Sequence, residues 1–221
     1  MAQIKKDDRR AAILSASYQL FMKHGYHRTT LRQIAETAGV SLANVYIYFP
    51  SKYQIVFELY DPWMAARLEQ LMSEASAISD KRQRLRHIVL TLWRDIPAAQ
   101  NGFARNIMQA LSTQSVDDGY DPTMIAWIEK QITDLIAGCL PSRRRPLLED
   151  GRIGHVMMMA FDGFVINQGL NPNAACTEDI ADSLCAFLLG RPADQRPGIK
   201  VRTIKTAGRS QIAKVNLPRR P

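Results

Sequence analysis

An all-helical fold is what this 221-residue sequence predicts. Apolar residues recur at three- and four-residue spacing in successive segments, with glycine and proline standing between them. No stretch alternates convincingly with the period of two that a half-buried strand requires. The run from Thr29 to Lys52 writes two short helices joined by a tight Gly-containing turn. That is the layout of a helix-turn-helix, whose second helix enters the DNA major groove.

The first helix carries the stripe Ile13, Ala16, Ser17, Leu20, Phe21 and ends at Gly25. Thr30 caps the second, and Gln33 three residues on completes a capping box. Leu31, Ile34, Ala35 and Ala38 give that helix one buried face. Gly39 ends it, because glycine supplies the positive φ of a helix C-terminus at little cost. Ser41 caps the third helix. Val45 and Phe49 point inward with Val40 and Leu42, which leaves Ala43, Asn44, Ile47 and Tyr48 outside and Tyr46 at the edge. Pro50 stops this helix, and Ser51 with Gln54 reads as a second capping box. Lys52 falls in the first turn of a fourth helix, where free N–H groups favour an anion. That helix runs into the seventies, and Pro62 is expected to kink or split it.

Further helical patterns cover about 81–96, 103–114, 122–140, 147–169 and 177–189. The most apolar is 153–166, with Ile153, Val156, Met157, Ala160, Phe161, Phe164 and Val165. Gly154 and Gly163 within it are small enough to admit another helix. The last pattern places Ile180, Leu184, Phe187 and Leu188 on a stripe. Residues 191–221 change character: proline, glycine and scattered Lys and Arg predict a disordered basic tail.

The net charge of +8 is unevenly placed. Residues 1–52 hold 8 Lys/Arg against 3 Asp/Glu, residues 53–190 hold 12 against 17, and residues 191–221 hold 9 against 1. A basic end that coincides with a helix-turn-helix suits a phosphate backbone. The longest apolar run, Val156 to Phe161, is far too short to span a membrane. No export signal is recognisable, so a soluble cytoplasmic protein is expected. Cys139, Cys176 and Cys185 lack metal spacing and read as reduced thiols. There is no Gly-rich phosphate loop, Gly-x-Ser-x-Gly elbow or His-Glu-x-x-His, and no enzyme, metal or cofactor is expected.

Residues 9–55 closely resemble the DNA-binding domain of the TetR (tetracycline-repressor) family of bacterial transcription regulators. The matching residues are Arg10-Ala11-Ala12-Ile13-Leu14, Leu20-Phe21, Gly25-Tyr26 and Thr29-Thr30, then Ile34-Ala35, Ala38-Gly39-Val40-Ser41, Val45-Tyr46-Ile47-Tyr48-Phe49 and Ser51-Lys52. The family usually has an aromatic or His where Ile47 stands and often Thr where Asn44 stands, so the operator sequence stays open. The resemblance implies a three-helix DNA-binding domain over 1–52 and a helical ligand-binding and dimerisation domain over 53–190. It also implies a homodimer paired through its last two helices, a double-stranded palindromic operator and a small-molecule effector that releases a repressor. The rivals are a helical small-molecule enzyme with a DNA-binding-like head and a ligand-free DNA-binding accessory protein.

At the candidate interface Asn44 suits bidentate bonding to adenine, and Ile47 beside Ala43 suits a thymine methyl. Tyr46, Tyr48, Thr29, Thr30, Ser41 and Lys52 suit phosphates, and Arg28 and Arg32 suit either. Capping alone is the plainer reading of Thr30 and Ser41. The ligand cavity that the resemblance implies would take Trp93, Phe103, Met108, Met124, Trp127, Met157, Met158 and Phe161 as lining. The plainer reading of each is ordinary core. His155 reads as a hydrogen-bonded core histidine.

Overall fold

The chain folds as helices wherever its apolar stripes find one another. The computed structural model describes residues 2–99, 102–113, 121–148 and 150–190. The expected basic tail, 191–221, lies outside the described residues. Among the described residues there is no strand. The α-helices are α1 (Ala2–Arg28), α2 (Leu31–Ala38), α3 (Leu42–Tyr48), α4 (Lys52–Ala77), α5 (Lys81–Leu90), α6 (Phe103–Leu111), α7 (Thr123–Cys139), α8 (Arg152–Leu170) and α9 (Glu178–Leu189).

Within residues 1–190, which form one compact unit, α1 packs on α2, α4 and α6. Helix α4 also meets α5, α6 and α7, while α8 lies on α6 and α7, and α9 on α5. The buried side of α4 is a stripe of Tyr60, Met64, Leu68, Leu71 and Ala75. Pro62 does not split α4, which runs unbroken from Lys52 to Ala77. Proline deprives the carbonyl four residues back of its donor, and here that residue is the exposed Glu58, where water can substitute.

Other expectations shift in detail. The pattern over 81–96 is α-helical only to Leu90 and then widens into a π-turn over Thr91–Asp95. The buried Trp93 in that turn donates its indole N–H to the Met157 carbonyl at 3.0 Å. The start of the 147–169 pattern lies in a 3-10 segment, Ser142–Leu148, ahead of α8. Gly154 does admit a neighbouring helix, but it is this chain's own α7: a Cβ there would overlap the Glu129 carbonyl oxygen. His155 is hydrogen-bonded, with Nδ1 2.8 Å from Glu129 Oε1, yet it is exposed rather than core.

Candidate nucleic-acid interface and effector cavity

The reading head is fixed by its caps. Thr30 Oγ1 accepts the Gln33 N–H (3.2 Å), and Gln33 Oε1 accepts the Thr30 N–H (2.8 Å), so the capping box is closed. Gly39 takes the left-handed conformation (φ 68, ψ 30) that an L-residue adopts only with strain. Ser41 Oγ then accepts the Asn44 N–H at 3.1 Å and starts α3. Ser51 does the same for Gln54 at 3.2 Å, but the structure shows only this half of the second capping box.

Val45 and Phe49 anchor α3 in the core. Its opposite face presents Ala43, Tyr46 and Ile47, with Ile47 70% and Tyr46 52% exposed. Asn44 and Tyr48 are half-buried at the edges of this face, and Arg28, Thr30, Arg32 and Ser41 are exposed beside it. No carboxylate lies on α3. Ser41 spends an acceptor lone pair on its cap, which leaves its O–H able to donate.

Two expected contacts are engaged elsewhere. Thr29 is 1% exposed, and its hydroxyl donates to the Gly25 carbonyl at 2.8 Å, so it shapes the turn instead of facing a duplex. Lys52 is half-buried. Its Nζ donates to the carbonyls of Tyr26 (2.7 Å) and Thr29 (2.8 Å) and stands 4.1 Å from the Tyr26 ring centroid. Burial pushes its pKa down, and the two carbonyls leave one N–H for any phosphate. Lys52 therefore ties the start of α4 to the turn between α1 and α2. Arg10 ties α1 to α4 by an ion pair with Glu58 and lies 5.3 Å from the Phe49 ring centroid.

A further set of bonds, not foreseen from the sequence, joins this turn to α6. The helical dihedrals of α1 break at Gly25 (φ 77, ψ 166), where the chain must turn sharply. Asn106 Oδ1 accepts the Tyr26 N–H at 2.8 Å, and Gln109 Oε1 accepts the His27 N–H at 3.3 Å. One available signal was Asn106 itself, a polar residue inside the apolar stripe Phe103, Ala104, Ile107, Ala110.

The other face of α6 lines a cavity of about 200 Å³ with Ile107, Met108 and Leu111. Phe57 and Tyr60 of α4, Met124 of α7 and Met158 of α8 close it. A wider groove of about 950 Å³ shares Phe57 and Met124 with it and adds Trp127. Met108, Met124, Met158 and Trp127 thus line these hollows. Trp93, Phe103, Met157 and Phe161 line neither and are buried core. The acids Asp61 and Asp162, which periodicity does not single out, stand on the linings, and burial raises each to about pKa 6.

Comparison with known proteins bears on both halves. The family model for bacterial regulatory proteins, tetR family, matches residues 13–59. Over 104 residues the chain is 34% identical to the HTH-type transcriptional regulator RutR of Escherichia coli (strain K12), covering 45% of this chain and 48% of that protein. It is 28% identical over 101 residues to the HTH-type transcriptional activator FasR of Mycolicibacterium smegmatis, covering 46% of each. The chain therefore spans about half the length of the curated relatives it matches. The fold is similar to FadR from Bacillus subtilis solved with stearoyl-CoA, at TM-score 0.56 and 19% identity over 81% of this chain and 97% of that one.

Proposed function

We propose that this chain, which belongs to the TetR family of bacterial regulatory proteins, is a ligand-responsive DNA-binding transcriptional regulator acting as a homodimer in the cytoplasm. DNA reading is assigned to residues 1–52, with Asn44, Ile47 and Ala43 toward the bases and Tyr46, Tyr48, Thr30 and Ser41 toward phosphates. Ligand and partner binding are assigned to 53–190. The observation that carries the reading is the α3 face: Tyr46 and Ile47 are large and exposed on a helix that bears no carboxylate and is anchored by Val45 and Phe49.

Homodimer formation is supported by apolar surface on the last two helices. Val156, Met159, Ile166 and Leu170 of α8 and Ile180 and Phe187 of α9 are exposed, and such patches mark association sites. Gly163 belongs to the same side of the argument, since a Cβ there meets nothing within 4 Å. Two copies would put two heads on a palindrome with half-sites one or more helical turns apart.

The coupling we propose runs through α6 and α4. Helix α6 lines the cavity on one face and hydrogen-bonds the turn before α2 on the other. Helix α4 places Phe57 and Tyr60 at the cavity and Lys52 under the same turn. A ligand that shifts either helix disturbs a head arranged for binding, which makes repression with ligand-induced release the proposed sign. Release requires tighter ligand binding to the non-binding state of the head. No cofactor or catalytic step is invoked. Selecting duplexes from a random pool with the purified protein tests the core of this reading. It predicts a palindromic consensus and stands overturned if the recovered duplexes share no sequence.

A further inference from the structure

The cavity lining is charged in one sense only. Besides its apolar residues, the 200 Å³ cavity is faced by Asp121 and Asp162. The outer groove, which shares Asp121 and Phe57, adds Glu58 and Asp61. Among the described residues no Lys, Arg or His lines either hollow. Glu58 is neutralised by Arg10, but no ion pair of Asp61, Asp121 or Asp162 is found among the described residues. Asp61 Oδ1 is buried without a hydrogen-bond partner. Asp121 accepts from the Thr123 hydroxyl and N–H through Oδ1 alone.

We propose that the molecule taken by this hollow is a small organic cation, an amine or quaternary ammonium with an apolar body. The inference rests on the ligand-responsive reading above and adds the chemical class of the ligand. The body would sit among Phe57, Tyr60, Met124 and Ile128, and the charge would face Asp162 and Asp121, with Asp61 in the adjoining groove. An anion there would meet carboxylates with no base on the lining, and at the half-buried Asp162 the repulsion is screened less than at the surface. An uncharged molecule would fill the volume but leave the half-buried Asp61 and Asp162 without an ion-pair partner. A cation answers both and also finds ring faces, which attract positive charge. The Phe57 ring centroid lies 4.5 Å from that of Tyr53 in a tilted contact and 6.3 Å from that of Tyr60 edge to face, so these rings form one aromatic cluster. Burial raises the pKa of both Asp61 and Asp162, with Glu58 and Asp121 adding repulsion at Asp61 and His155 opposing the shift at Asp162.

Isothermal titration of the full chain with 2-phenylethylamine, 2-phenylethanol and 3-phenylpropionate at pH 7 separates the classes, since the three differ chiefly in charge. The amine should bind about tenfold tighter than the alcohol, and the propionate weakest, a tenfold step being what a modest charge pairing supplies. Asp162→Asn should lower amine affinity about tenfold and leave the alcohol unchanged, while Asp162→Glu retains the amine preference. Equal or tighter binding of alcohol or propionate overturns the proposal. So does an Asp162→Asn protein, folded by circular dichroism, that binds the amine like the parent. If that variant does not fold, the order of the three probes on the parent chain decides. A chain that binds its selected duplex but none of the probes overturns the cation assignment and leaves the DNA-binding reading standing. Amine preference without duplex binding does the reverse.

Discussion

Asn106 Oδ1 accepts the backbone N–H of Tyr26 at 2.8 Å, and Asn106 Nδ2 donates to the Phe21 carbonyl at 3.3 Å. One buried side chain thereby holds both sides of the bend at Gly25. Asn106→Ala leaves a buried donor without its partner, which costs about 1–3 kcal/mol. Chemical denaturation should register that loss, and the change in duplex affinity on adding ligand should shrink. An unchanged unfolding midpoint would show that the two bonds carry no net stability.

Lys52 invites a similar question from the other helix. Lys52→Met keeps the aliphatic stem but abandons the carbonyls of Tyr26 and Thr29. We expect a stability loss of about 1–3 kcal/mol, because hydrogen bonds to a charged group exceed neutral ones. Duplex affinity should fall with it. The slope of affinity against salt distinguishes the two roles: a structural Lys52 leaves it unchanged, whereas a lost phosphate contact lowers it by about one.

Base reading is expected at Asn44. Asn44→Ala should relax preference at one base position at a cost of about 1–3 kcal/mol. Tyr48→Ala should weaken all duplexes about equally, since a phosphate contact carries no sequence. A base-substitution binding series checks both, and an Asn44 variant with unaltered preference at every position would remove this residue from the reading set.

The caps of the head were legible in the sequence because they are local. Thr30, Gly39 and Ser41 act on groups within four residues, so spacing alone names the partner. Asn106 and Tyr26 are far apart in the chain, and no periodicity couples them. The same holds for Asp162 of α8 and Asp121 just before α7, which line one cavity only in the folded chain. Apolar spacing marked Trp93, Phe103, Met157 and Phe161 as inward, but it cannot tell core from cavity wall, and these proved to be core. Thr29 was misplaced for a related reason: the residue before a cap faces either way, and the Gly25 carbonyl draws this one inward.

Association through α8 and α9 is tested at Phe187, which is 75% exposed. Phe187→Glu removes no buried contact within the chain, so each copy should remain folded. It should nevertheless convert a dimer into a monomer, because the partner's apolar surface would have to desolvate a carboxylate. Sedimentation at micromolar concentration decides, and a parent protein that is already monomeric there rules out the pairing.

Acidity provides the last test. Asp61 and Asp162 rise from 3.8 to about 6, mainly because burial penalises the charged form. Glu58 and Asp121 add repulsion at Asp61, and His155 opposes the shift at Asp162. Between about pH 4 and pH 6 the folded chain therefore holds protons that the unfolded chain has released. The stability these acids contribute is fully present below pH 4 and is lost as pH rises through 6. Asp121 and Glu74, whose pKa values are lowered, act at more acidic pH and in the opposite sense. Asp162→Asn carries no charge to desolvate at any pH. It should consequently stabilise the ligand-free protein relative to the parent at pH 7.5, less so at pH 5, and hardly at all near pH 4. Urea unfolding of both proteins at the three pH values measures the difference directly. A difference that stays flat across them would mean that Asp162 titrates as an ordinary solvated carboxylate.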